Sequence, residues 1–132
     1  MDKSIENDLS SYSSIIRTFE AMEQMTIEGE TSNGWYILLG GRVGVFKHNR
    51  QVAEFRERGV VLGELSFILN TPRTVSLIAL EPTKVVHFNM PLDQLIAEYP
   101  DITKKILVNL AERLAKTTED FISIVEKEIK PL

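Results

Sequence analysis

From Phe19 to Asn89 the chain runs as short apolar or alternating stretches broken by turn signals, and on either side the apolar spacing becomes helical. Gln24 to Glu28, Trp35 to Leu39, Arg42 to Lys47, Gln51 to Phe55, Val75 to Leu80 and Lys84 to Asn89 are each of strand length and rich in β-branched or aromatic residues. Asn33-Gly34, Gly40-Gly41, His48-Asn49, Arg58-Gly59 and Glu81-Pro82 separate them as turns. Eight or so short strands at close spacing predict a mainly β domain, built as a sandwich, jelly roll or small barrel. Ahead of it, Leu9, Tyr12, Ile15 and Ile16 stand at roughly helical spacing in a polar, Ser-rich stretch, which predicts a short amphipathic helix over 5–18. Behind it, Pro91 suits a first helical position, Asp93 to Tyr99 reads as a short helix, Pro100 interrupts, and Asp101 to Ile129 reads as one long helix with an acidic start. The expected organisation is an N-terminal helical segment, 1–18, and one domain, 19–130, whose last helix covers about 101–130.

One place breaks the strand pattern. Glu64 to Leu69 has a polar start and no alternation, which predicts a turn of helix inserted between strands. The surrounding run, Leu62 to Val75, holds one carboxylate, Glu64, and one guanidinium, Arg73, among apolar residues. A buried charge is costly unless it is paired or meets a ligand, so this arrangement is either an internal salt bridge holding a turn or a binding site. The first amides of the inserted helix lack internal partners, and Gly63 leaves room for an anion to approach. Arg73 adds an always ionised fork suited to phosphate oxygens. Glu64, an acceptor only, suits hydroxyl donors such as those of a sugar. Phosphate and ribose hydroxyl within one side-chain length describe a nucleotide.

Composition removes several alternatives. The chain has 132 residues, 43% of them hydrophobic, enough for one domain with a proper core. Its formal net charge is -4 and it has no basic cluster, so direct nucleic-acid binding is not expected. The absence of cysteine excludes disulfides, thiolate metal sites and thiol nucleophiles. His48 and His87 lack the neighbours a metal site needs, so no metal and no cofactor are expected. With no apolar run of 18 residues and no signal-peptide pattern after Met1, the chain reads as cytoplasmic and without a membrane partner.

Gly63-Glu64-Leu65-Ser66 followed by Asn70-Thr71-Pro72-Arg73-Thr74 resembles the phosphate-binding cassette of the cyclic nucleotide-binding domain family, found in cAMP-dependent kinase regulatory subunits, gated channels and the bacterial catabolite activator protein. Glu28-Gly29-Glu30 and Tyr36 to Val45 resemble the family's first β-roll glycines, and Leu95 to Pro100 and Leu107 to Leu114 its B and C helices. The likeness covers roughly Phe19 to Ser123, with departures at Leu62 for the usual Phe, Ser66 for Ala and Val75 for a small residue. It implies a β-roll or jelly roll (double-stranded β-helix) with an N-terminal helix and C-terminal B and C helices. It further implies that Glu64 takes the ribose 2′-hydroxyl and Arg73 the exocyclic phosphate oxygens, with the amides around Leu65 and Ser66 completing the cradle. Thr74 matches a position where Ser or Thr touches the phosphate in some members and where Thr accompanies tolerance of guanine. Arg113 to Glu119 resembles the catabolite activator segment whose hydroxyl pair reaches the purine, which gives Thr117 and Thr118 that role.

The function so implied is a non-catalytic receptor for cAMP, with cGMP as the alternative ligand, that signals by rearrangement of the C-helix. With the chain ending at Leu132, output is expected to pass through a separate effector protein or a homodimer. Leu107, Leu110, Leu114, Phe121 and Ile124 recur at heptad-like spacing, with Thr117 in register, and serve either packing on the β-roll or a two-fold helix pair. The competing functional class is an interaction scaffold that keeps the fold without the ligand. No pattern of nucleophile and base, or of metal ligands, points to an enzyme.

Overall fold

The computed structural model describes residues 16–32 and 34–128. Eight strands are present among them: β1 (Ile16–Phe19), β2 (Gln24–Thr26), β3 (Trp35–Gly40), β4 (Val43–Lys47), β5 (Arg50–Phe55), β6 (Val61–Leu62), β7 (Ser76–Ala79) and β8 (Thr83–Phe88). Three helices accompany them: α1 (Glu64–Leu69), inserted between β6 and β7, then α2 (Leu92–Glu98) and α3 (Pro100–Glu128). The strands form two four-stranded sheets with orders β1-β8-β3-β6 and β2-β7-β4-β5, and every pair in them is antiparallel. Apart from the β4–β5 hairpin, consecutive strands alternate between the two sheets, and the chain winds as a β-roll of the kind expected.

The pattern sets the core. Tyr36, Leu38, Val43, Val45, Leu77, Ala79 and Val85 alternate inward from both sheets and meet Phe19, Met25 and Leu62 in one buried cluster. Two aromatic pairs across neighbouring strands fix the β3–β8 register: Trp35 stacks on Phe88 at 4.4 Å between ring centres, and Tyr36 stacks on His87 at 4.8 Å. The β4–β5 hairpin turns through His48 and Asn49, both at positive φ (50° and 63°), in the mirror-image turn whose twist suits a two-residue connection. Gly41 takes a φ of 109° at the β3–β4 turn, as the Gly40-Gly41 pair predicts.

One expectation is corrected. Ile16 to Thr18, the last three positions of the helix expected over 5–18, are strand: β1 pairs with β8 from Ile16↔Val86 to Phe19↔Thr83. Pairing with a neighbour overrides a helical apolar spacing, and Ile16 and Thr18 are β-branched. The remainder of that helix, 5–15, lies outside the described residues.

The chain divides into two compact units at 94/95, the first holding both sheets and α1 and the second holding α3. Within the second unit the turn between α2 and α3 is closed by Thr103, whose hydroxyl donates to the carbonyls of Leu95 at 3.2 Å and Tyr99 at 2.9 Å. The acidic first turn of α3, with Asp101, and Lys127 in its last turn both favour the helix dipole. Its outer length is exposed, including Leu107, Leu114, Phe121 and Ile124.

Candidate functional site

The stretch from β6 to β7 is built around one glycine and one arginine. β6 is only two residues long, but its pairing with β3 (Tyr36↔Leu62) delivers the chain to Gly63 at a fixed place beside the first sheet. Gly63 has a φ of 76°, and a Cβ there would lie 2.6 Å from Nη1 of Arg73. Both the backbone conformation and the close approach therefore demand glycine. α1 follows at once and ends at Asn70, whose φ of 54° is the left-handed cap that stops the helix. The amides of Asn70 and Thr71 both donate to the carbonyl of Ser66, turning the chain back toward Arg73.

Arg73 is drawn inside the fold by the acceptors it finds there. Its Nη1 donates to the Gly63 carbonyl at 2.8 Å and to Ser66 Oγ at 3.2 Å, and Nη2 donates to the Gly34 carbonyl at 2.8 Å. Arg73 is 5% exposed, Glu64 5% and Ser66 3%, so a cation, a carboxylate and a hydroxyl are all buried on one short segment. Burial pulls the guanidinium below its ordinary pKa, an effect that Tyr36 and Glu64 partly oppose. Charge-assisted hydrogen bonds in such a water-poor place are strong, and a buried carboxylate and guanidinium together suit a ligand that offers an anionic oxygen and a hydroxyl.

Of the residues singled out in the sequence, Gly63, Glu64, Leu65, Ser66, Arg73 and Thr74 come together on this segment. Leu65 points out from α1 and Thr74 is exposed just after the arginine. Thr117 and Thr118 lie on α3, in the other unit, where both are exposed and the Thr117 hydroxyl donates to the Arg113 carbonyl at 2.9 Å. Val75, one of the sequence departures, packs half-buried against the core cluster. Two participants went unrecognised in the sequence. Gly34, read only as a turn, supplies a carbonyl to Arg73; its φ of 117° and the backbone of Phe88 beside its Cα exclude a side chain. Tyr36 lies beside Gly63 and the guanidinium, and its hydroxyl donates to the Met25 carbonyl at 3.4 Å. A glycine before a run of β-strand residues was the only signal for the first, and nothing distinguished the second from an ordinary core tyrosine.

Comparison with known proteins agrees with this geometry. The sequence profile described as Cyclic nucleotide-binding domain matches residues 16–99, which include both sheets and the whole Gly63–Thr74 segment. Among curated proteins, the chain is similar to the lysophospholipase NTE1 of Pyricularia oryzae, with 33% identity over 106 residues, covering 76% of this chain and 7% of that protein. The Chaetomium globosum lysophospholipase NTE1 is 32% identical over 99 residues, 70% of this chain and 6% of its own length. The chain thus spans less than a tenth of these relatives. Among solved structures, the catabolite activator protein of Thermus thermophilus shares the fold with a TM-score of 0.73 at 21% identity, over 95% of this chain and 60% of that one. A cyclic nucleotide-binding domain from Methylobacillus flagellatus has a TM-score of 0.69 at 27% identity, over 96% of this chain and 75% of that one. A profile match over more than half of the chain, on a β-roll whose segment between β6 and β7 carries the buried Glu64 and Arg73, identifies it as a member of the cyclic nucleotide-binding domain family.

Proposed function

We propose that this chain is a non-catalytic receptor for a cyclic nucleotide, cAMP before cGMP, acting in the cytoplasm. The observation that carries the reading is the burial of Glu64 and Arg73 on a segment of ten residues, in a fold that gains little from burying either charge. In this reading Arg73 holds the exocyclic phosphate, Glu64 the ribose 2′-hydroxyl, and the backbone around Leu65 and Ser66, opened by Gly63, lies along the phosphate. Thr74 adds a hydroxyl beside Arg73. The assignment of Thr117 and Thr118 to the purine rests on the resemblance of Arg113 to Glu119 alone. Signal output would pass along α3, whose exposed Leu107, Leu114, Phe121 and Ile124 suit a second copy of the chain or a separate effector protein.

A ligand that binds only the folded state raises the unfolding midpoint, by about 2.7 kcal/mol of stability at a hundredfold excess over Kd. Thermal scans with cAMP, cGMP and 5′-AMP therefore test the reading. The expected result is a rise of several degrees with the cyclic nucleotides and little with the linear one. If no cyclic nucleotide moves the midpoint, the scaffold reading replaces the receptor.

A further inference from the structure

Arg73, Thr74 and Val75 lie between α1 and β7, outside any strand, yet their three successive carbonyls take donors from β2, from the loop just after it and from the end of β4. The Arg73 carbonyl accepts from the Gly29 amide at 2.8 Å, that of Thr74 from Lys47 Nζ at 2.8 Å, and that of Val75 from the Thr26 hydroxyl at 3.4 Å. The Arg73 amide in turn donates to the Glu30 carbonyl at 2.8 Å. The middle donor differs from the others, being the charged end of a long side chain that reaches in from beside the turn of the β4–β5 hairpin. Glu28 steadies it. One carboxylate oxygen of Glu28 pairs with Lys47 Nζ at 2.8 Å, the other accepts from the His48 amide at 3.2 Å, and the Glu28 amide donates to Ser76 Oγ at 2.9 Å. Glu28 therefore ties the hairpin, the lysine and the strand after Arg73 together.

The Lys47 side chain is 43% exposed and that of Glu28 26%, and ion pairs this open to water contribute little to stability. What the pair fixes is position. A fork that must meet phosphate oxygens has to be held to within about 0.5 Å, and the peptide on its C-terminal side lies outside any strand, held through the donors to its carbonyls.

We propose that Lys47, steadied by Glu28, is a positioning residue for the ligand site, pinning the Thr74 carbonyl so that the neighbouring Arg73 guanidinium faces the phosphate. This rests on the reading of Arg73 as the phosphate-binding group. The chemistry separates it from a merely structural ion pair. If only the pair mattered, reversing it would restore function. If the hydrogen bond to Thr74 matters, reversal leaves function impaired, because a glutamate at position 47 cannot donate to a carbonyl.

The experiment measures calorimetric cAMP affinity and unfolding midpoint for the parent, Lys47→Met, Lys47→Arg and the double variant Glu28→Lys with Lys47→Glu. Lys47→Met is expected to keep the midpoint nearly unchanged and to weaken cAMP roughly fivefold, about one ordinary hydrogen bond's share. Lys47→Arg should regain most of that affinity, and the double variant should keep the midpoint without regaining the affinity. Parent-like affinity in Lys47→Met, or full recovery of affinity in the double variant, would overturn the proposal while leaving the receptor reading intact. A parent that binds no cyclic nucleotide would overturn both.

Discussion

The segment from Gly63 to Thr74 and the helix α3 break the same rule in opposite directions. The first hides charge: Glu64 and Arg73 are each 5% exposed inside a roll otherwise filled with Leu, Val, Tyr and Phe. The second shows grease: Leu114 is 68% exposed, Phe121 64% and Ile124 61%, on a helix of 29 residues. Neither arrangement lowers the free energy of the isolated fold, since burying an ion costs desolvation and leaving a phenyl ring in water forgoes about 1.5–3 kcal/mol of burial. The proposed function accounts for each. The buried pair asks for a small polar ligand that brings its own charge and hydroxyl, and the exposed stripe asks for an apolar partner. In the proposed receptor, binding and output are thus written in different chemistry on different units of the chain.

That contrast can be broken at either end. The largest effect is expected from Arg73→Ala, which removes one side of a desolvated ionic contact; such losses run at about 2–5 kcal/mol, so cAMP affinity measured by calorimetry should fall by roughly 30-fold or more. Next comes the ligand's own hydroxyl. Replacing cAMP by its 2′-deoxy form leaves Glu64 buried without that donor, at a cost of about 1–3 kcal/mol, and competition binding should separate the two ligands by roughly 5- to 150-fold. Equal affinities would give Glu64 a different job. Phe121→Glu acts on the other region alone. It puts a charge in the middle of the exposed seam, so sedimentation should show a dimeric parent become monomeric with cAMP affinity held within about twofold.

The smallest effect sharpens the first region. Lys47, then the His48 amide, hold the Glu28 carboxyl below its ordinary value of 4.5. A carboxylate whose pKa is lower folded than unfolded contributes stability above the unfolded value, and that contribution disappears as pH falls through the folded one. Unfolding midpoints of the parent and Glu28→Gln should therefore differ slightly at neutral pH and converge in acid below 4.5. A difference that stays constant down the pH range would mean that Glu28 acts through shape and not through charge.

How far the sequence disclosed all this depends on how local each cause is. α1 was readable to its ends, Glu64 to Leu69, because a polar start, a lack of alternation and a preceding glycine are properties of neighbours in the chain. The β4–β5 hairpin was readable for the same reason, through His48-Asn49. β1 was not, because its four residues owe their conformation to β8, and their own apolar spacing continues a helical pattern. β6, at two residues, is too short to alternate. Within the site, Glu64 and Arg73 were readable as charges out of place. Their surroundings were not: the acceptor for Arg73 at Gly34 is a backbone carbonyl, which every residue carries, 39 positions away. The hold of Lys47 on Thr74 spans 27 positions and looks, in sequence, like any surface lysine at a hairpin.

The central claim is that the buried Glu64–Arg73 segment exists to take a cyclic nucleotide, and isothermal titration of the parent chain with cAMP and cGMP addresses it most directly. The account predicts saturable binding with one nucleotide per chain, lost on the same instrument in Arg73→Ala while that variant unfolds cooperatively. No heat of binding with either nucleotide, or binding that survives the loss of Arg73 undiminished, would contradict it.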